Sequence, residues 1–143
     1  MVWKYKGEDY NPEEAPADFQ GFVYRITELD TGMKYIGKKF FWSRRTLPPV
    51  KGKKRKRKVI KESDWRTYFG SSKELKEEVQ SRGEDKYLRE ILMLCRTKGD
   101  CTYYEAKLQF EYDVLLDDTY YNGLIMCRIN SAHLKGTDDG EDD

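Results

Sequence analysis

Histidine is almost absent from this chain, and its scarcity excludes a good deal. The one residue, His133, stands in a polar stretch near the C-terminus. A single imidazole with scattered thiols cannot build a zinc centre, a histidine-dependent nuclease site or a Ser-His-Asp triad, so His133 reads as a surface residue. Cysteine is nearly as scarce: Cys95, Cys101 and Cys127 are odd in number and contain no CxxC pair. That pattern argues against a disulfide framework and fits a reduced, intracellular protein. No apolar run approaches membrane-spanning length, so no membrane partner is expected. The opening MVWKYKGEDY carries acids early and has no apolar core, unlike a signal peptide. Net charge is small too, at +1, although 37% of the 143 residues are charged.

The near-zero total hides opposed patches. Between Arg44 and Arg66 eleven Lys and Arg face only Glu62 and Asp64, whereas Asp138 to Asp143 holds five carboxylates around Gly140. Separated patches suggest a face that binds a polyanion, where uniform mixing would suggest only a solvated surface. The length suits one domain with a single modest core.

The most ordered stretch is Gly21 to Gly37, GFVYRITELDTGMKYIG. Phe22, Tyr24 and Ile26 alternate with Val23 and Arg25, as on a strand. Asp30-Thr31-Gly32 offers a tight turn, and Met33, Tyr35 and Gly37 alternate on the return. The unit is an antiparallel hairpin that brings Tyr24 and Tyr35 near one another.

Around it, residues 1–19 mix Trp3, Tyr5 and Tyr10 with Pro12, Pro16 and acids, and read as an extended arm docking by its aromatics. Lys38 to Arg45 reads as a short helix packing Phe41 and Trp42 inward, ended by Leu47-Pro48-Pro49. Lys51 to Lys58, KGKKRKRK, has no hydrophobic residue and belongs to a basic insert over 46–62. It is a solvated loop, a nuclear-import address or a phosphate-contacting loop. Its position between ordered segments, beside Arg44 and Arg45, favours the last, with Lys53, Lys54, Arg55, Lys56, Arg57 and Lys58 as contacts. Ser63 to Gly70 reads as a turn or short helix. Ser71 and Glu74 form a capping-box pattern before a helix that Gly83 closes. Tyr87 to Cys95 is a central strand. Asp100 caps a third helix over Cys101 to about Leu116, with a stripe of Tyr104, Leu108, Tyr112 and Leu115. Ile125 to Ile129 adds a last strand or covers the core, and 132–143, from Thr137 above all, is a disordered acidic tail. The sum is an α+β domain over 20–131: a small antiparallel or mixed sheet that starts with a β-hairpin and is flanked by about three helices.

Phe22-Val23-Tyr24 and Tyr35-Ile36-Gly37 resemble the paired signature of the GIY-YIG nucleases, with phenylalanine and valine where the name has glycine and isoleucine. The order of elements is also similar to that family's catalytic domain, over about Phe22 to Asn122. The long basic insert and Trp65 to Ser72 are most like the phage-encoded Seg-like members, which implies a phage protein working in a bacterial cytoplasm. The resemblance implies hydrolysis of double-stranded DNA with one divalent cation, Mg²⁺ or Mn²⁺, and a tyrosine, arginine, glutamate and asparagine in the site. It makes Tyr24 the candidate base and Tyr35 the residue orienting water or phosphate. An arginine about two helical turns after the YIG glycine corresponds to Arg45, with Arg44 as runner-up and Lys38 another candidate DNA contact. Glu105 corresponds to the metal-binding glutamate, with Glu111 as alternative, because a carboxylate among aromatics calls for a cation. Asn122 corresponds to the family asparagine, although it also suits a turn before Gly123. Tyr68 matches a variable auxiliary position, for which Lys73 is an alternative.

Two other functions compete: a non-catalytic nucleic-acid-binding module that keeps the fold, and a restriction-type centre suggested by the ExK spacing of Glu105-Ala106-Lys107. Nothing after Asn122 is long enough for a separate specificity domain. Selectivity then comes from the basic loop and N-terminal arm, from a homodimer or accessory partner, or is relaxed.

Overall fold

The computed structural model describes residues 2–134. Its strands are β1 (Trp3–Tyr5), β2 (Glu8–Tyr10), β3 (Gly21–Glu28), β4 (Lys34–Phe40), β5 (Trp42–Leu47), β6 (Arg57–Glu62) and β7 (Tyr87–Cys95). The helices are α1 (Lys73–Arg82), α2 (Lys98–Glu111) and the short α3 (Ser131–Leu134). Five strands form a mixed sheet in the order β2-β1-β7-β3-β4, and β5 with β6 makes a separate two-stranded ribbon. The α+β class expected from the pattern holds.

β7 is the middle strand, as its apolar run predicts, and its neighbour β3 is covered on both faces. Phe22, Tyr24 and Ile26 enter one cluster with Trp3, Phe41, Trp65, Leu75, Tyr87 and Ile91. Val23, one register position away, enters a second cluster with Ile36, Cys95, Cys101 and Val114 beneath α2. The β3–β4 turn is made where Asp30-Thr31-Gly32 places it, with Gly32 at φ +79°. Beside this turn Glu28, 1% exposed, accepts hydrogen bonds from Thr31 (2.6 Å), Tyr87 (3.1 Å) and Tyr121. Burial alone would raise its pKa, but these bonds and nearby Arg82 hold it below the usual carboxylate range.

Four local expectations need correction. Residues 3–10 are not an arm but a hairpin at the sheet edge. β1 pairs in parallel with β7 through Lys4–Glu90 and Tyr5–Ile91, and the Trp3 indole donates to the Trp65 carbonyl at 2.8 Å. Lys6 and Gly7, both at positive φ, make the two-residue turn. Lys38 to Arg45 is not helical. Lys38, Lys39 and Phe40 continue β4 against β3, and Trp42 onward pairs with β6. A non-local partner decides the matter, which a local pattern cannot show. At α1 the cap is Ser72, whose hydroxyl accepts from Leu75 N at 3.2 Å, so no capping box forms. α2 begins earlier than expected, capped by Thr97, and ends at Glu111 because Asp113 turns left-handed at φ +52°. Its buried face is Cys101, Ala106 and Gln109, while Tyr112 and Leu115 are exposed.

Ile125 to Ile129 forms no strand; Ile125 packs partly against the second cluster. His133 is exposed. The expected acidic tail from Thr137 lies outside the described residues. Among the described residues no helix is long and apolar enough to cross a membrane.

The outer edge of β4 would expose unpaired backbone, a liability in any sheet. Residues 119–122 cover it. Lys34 N donates to the Thr119 carbonyl and Tyr121 N to the Lys34 carbonyl, each at 2.7 Å. At Ile36 the amide of Asn122 replaces a strand, accepting from the backbone N (3.0 Å) and donating to the carbonyl (2.8 Å), while Gln109 donates to the same carbonyl at 2.9 Å. Asn122→Ala orphans the buried Ile36 N–H. We expect it to lower stability by about 2 kcal/mol, roughly 6 °C in Tm. A melting temperature unchanged from the parent's would show that the edge does not depend on this amide.

Candidate active site

Tyr24 sits at the middle of β3, fully buried, opposite Gly37 of β4. The pairing explains the glycine. A Cβ on Gly37 would lie 2.5 Å from the Tyr24 hydroxyl and 3.0 Å from the Tyr35 ring, so only glycine leaves room for both phenols. A register shift between Val23 and Tyr24, where β3 meets β7, re-aims the strand at the same point. The Tyr24 ring is 6.2 Å from that of Tyr35 and 6.0 Å from that of Tyr68. Its buried hydroxyl makes no hydrogen bond of good geometry, and its one polar neighbour of note is the Tyr68 phenol, close enough to favour the protonated form. Burial above all, then the phenols of Tyr68 and Tyr35 and the charge of Glu105, push its pKa well above the ordinary tyrosine value. In the free protein Tyr24 is therefore protonated at neutral pH.

Tyr35 is half-buried, and its hydroxyl shares a 3.0 Å hydrogen bond with Ser71. This bond uses the serine expected to cap α1. Tyr68 lies under Lys39, whose ammonium is 4.2 Å from the ring centroid and 2.6 Å from Asp64. The segment carrying Tyr68 is pinned from below by Arg89, which donates to the carbonyls of Arg66 (3.1 Å) and Tyr68 (2.8 Å). Its guanidinium lies between Trp3 and Phe69, 4.6 and 4.4 Å from the ring centroids.

Glu105 approaches from α2, on the sheet face opposite the tyrosine rings, and meets Lys38 at 3.2 Å. Its side chain is 15% exposed. Burial raises its pKa, and Lys38 only partly offsets that. Lys38 and Lys39 point to opposite faces of β4, so the edge strand joins the carboxylate side to the phenol side. A cleft of about 380 Å³ opens at the β4–β5 corner, lined by Lys38, Lys39, Phe40, Trp42, Ser43, Arg44, Ser63 and Lys98. Four cations thus surround a space, and one of them, Lys38, is paired with the half-buried Glu105. Such a cleft concentrates a polyanion.

Arg44 and Arg45 belong to β5, not to a helix, and successive strand residues face opposite ways. Arg44 lines the cleft and Arg45 is on the other face of the ribbon. Lys53, Lys54, Arg55 and Lys56 are exposed in the ribbon's loop, while Arg57 and Lys58 begin β6. Asn122 faces the backbone of Ile36 rather than the cleft. Glu111 is exposed at the end of α2, and Lys73 is exposed at the start of α1. Lys107 is exposed on α2 near the Tyr104 ring, so Glu105 and Lys107 do not share a strand face.

Lys39, Arg89 and Lys98 carry no site reading in the sequence, and Ser71 and Asp64 are read there only as a helix cap and a surface acid. The doubled lysine after Gly37 was a usable signal, since a strand sends one to each face. Lys98 and Arg89 had none, as their neighbours are remote in the chain.

Among the described residues no three His, Cys, Asp or Glu side chains converge. The donor set offers one half-buried carboxylate, with the phenols on the other face of the sheet, and does not suit a cation caged by protein ligands. It suits a hard divalent cation that keeps water and phosphate oxygens as most of its shell.

Searches of curated proteins and of solved structures each found no match. The family model SegE_GIY-YIG, described as "Putative endonuclease segE, GIY-YIG domain", matches residues 3–125. That span takes in the β1–β2 hairpin, the sheet, the ribbon, α1, α2 and the edge cover through Asn122. The chain belongs to the Seg-like GIY-YIG endonuclease family.

Proposed function

We propose that this protein is an endodeoxyribonuclease that hydrolyses phosphodiester bonds of double-stranded DNA with a single divalent cation, Mg²⁺ or Mn²⁺, held by Glu105. The observation that carries this reading is a half-buried carboxylate, Glu105, paired at 3.2 Å with Lys38, which lines a cleft of four cations. When bound, the cation would neutralise charge that builds on the phosphate and favour the ionised form of attacking water.

The chain's own groups do the rest. Lys38, Lys39, Arg44 and Lys98 draw the DNA backbone into the cleft, and Arg44, the arginine that lines it, grips the scissile phosphate. Arg45, on the outer face, contacts DNA beyond the cleft. Lys38 neutralises Glu105 until substrate and cation arrive, and is then free to meet phosphate. Tyr24, kept protonated by burial, is a hydrogen-bond donor within the phenol cluster, and would accept a proton only if positive charge beside it lowered its pKa. Tyr35, oriented through Ser71, and Tyr68, steadied by Lys39 and Arg89, fix the direction of attack. Asn122 is a positioning residue, holding Ile36 and hence Tyr35 and Gly37 in register. In the reaction the water oxygen bonds to phosphorus, one P–O ester bond breaks, and the leaving sugar oxygen gains a proton.

The test is supercoiled plasmid incubated with the full-length protein. We expect nicked or linear product with Mg²⁺ or Mn²⁺ and none with EDTA. Tight DNA binding with no cleavage under any divalent cation would instead make the chain a binding module that keeps the nuclease fold.

A further inference from the structure

The β5–β6 ribbon has no evident folding role. Six pairs, from Trp42–Glu62 to Leu47–Arg57, hold it together. Its root is fixed: Trp42 donates to the Pro16 carbonyl at 3.1 Å, Ser63 to the Phe40 carbonyl at 2.6 Å, and Glu62 accepts from the Trp65 indole at 2.8 Å. Beyond the root, Ser43 to Thr46 and Arg57 to Lys61 are all exposed. Ile60 is 60% and Val59 38% exposed, so neither serves a core. Alternation puts Arg44, Lys58 and Ile60 on one face and Arg45, Arg57, Val59 and Lys61 on the other. No carboxylate occurs from Ser43 to Lys61.

A ribbon that is basic on both faces, carries one exposed aliphatic residue on each, and springs from the phosphate cleft has the form of a groove reader. Two strands about 4.8 Å apart, with side chains on both sides, fill the roughly 12 Å major groove of B-DNA but not the roughly 6 Å minor groove. Six residue pairs reach roughly 20 Å along it. Arginine forks match the O6 and N7 edge of guanine, and aliphatic side chains match the thymine methyl. The N-terminal residues, built into the sheet edge, are not free to take this part. We infer that the β5–β6 ribbon enters the major groove beside the scissile phosphate and selects the DNA sequence, while its loop lysines hold the backbone. The inference rests on duplex DNA being the substrate, as proposed above.

The test reads binding rather than cutting. Full-length protein carrying Glu105→Gln is used to select from a random duplex DNA library, and the same background then carries one of two added sets of changes. We expect the parent background to enrich a common base pattern. Arg57→Gln with Ile60→Ser should lose tenfold or more of the preference at one or two of its positions. Lys53→Gln with Lys54→Gln and Lys56→Gln should keep the pattern but weaken binding and reduce the slope of log affinity against log salt by about 1 for each lysine that no longer meets a phosphate. Duplex RNA of the selected sequence should bind at least tenfold more weakly, because its major groove is too narrow for a ribbon. No enriched pattern, a pattern untouched by the Arg57 and Ile60 changes, or equal binding of duplex RNA would each overturn the inference. Because no step requires cleavage, failure of the nuclease reading in the plasmid assay would leave this result standing, and the converse also holds.

Discussion

Replacing Glu105 by glutamine is expected to reduce plasmid cleavage by roughly a thousandfold, and to make the protein more stable. The loss follows if the carboxylate holds the cation, because an amide keeps the shape but not the charge, and one electrostatic stabiliser in such a site is worth roughly 10²–10³ or more in rate. The gain follows from the pKa. Burial raises that of Glu105 in the folded state, with Lys38 only partly opposing. The stability linked to its protonated form is present below the ordinary carboxylate value and is lost as the pH rises through the raised value. At pH 7 the ionised group is therefore a cost that glutamine removes. Lys38 loses its partner, but its side chain is 30% exposed and can reach water. Thermal melting across pH 4–8 should show the variant above the parent at neutral pH, with the gap closing toward acid. Cleavage within tenfold of the parent would take Glu105 out of the chemistry, and a lower Tm at pH 7 would mean that the Lys38 pair stabilises the fold.

Tyr24→Phe is expected to cost roughly a hundredfold in cleavage with no loss of stability. The change removes one buried oxygen whose only polar neighbour of note, the Tyr68 phenol, meets it with poor hydrogen-bond geometry. A poorly paired buried hydroxyl contributes little to stability, so phenylalanine should fold about as well as tyrosine. A purely structural tyrosine would behave otherwise, leaving cleavage intact. The two substitutions together separate a site kept polar for its substrate from a core that happens to contain polar atoms.

How much of this was legible beforehand depends on where each residue's partners lie. The β3–β4 hairpin was legible because strict alternation and a glycine turn are local, and Tyr24, Tyr35 and Gly37 came with it. β7 could be read from its apolar run, and α1 and α2 from their periodicity, though their caps moved by one to three residues because Ser72 and Thr97 reach the first-turn amides. Lys38 to Arg45 is strand where the local pattern predicts helix, because its conformation depends on β3 behind it and on β6 beyond a basic loop. On a helix, counting turns selected Arg45; on a strand the neighbouring Arg44 lines the cleft. Residues 3–10 read locally as an arm because the strand that β1 pairs with begins more than eighty residues later. Asn122 was found through the motif, but its grip on the Ile36 backbone is visible only once β4 is an edge strand.

The most direct measurement is an anomalous diffraction map from crystals of the full-length protein soaked in Mn²⁺. The expected result is a peak about 2 Å from a Glu105 carboxylate oxygen, with Lys38 turned away toward the cleft. A map with no peak there, or with the cation elsewhere and Glu105 still paired to Lys38, would contradict the assignment of the metal and the hydrolytic mechanism built on it.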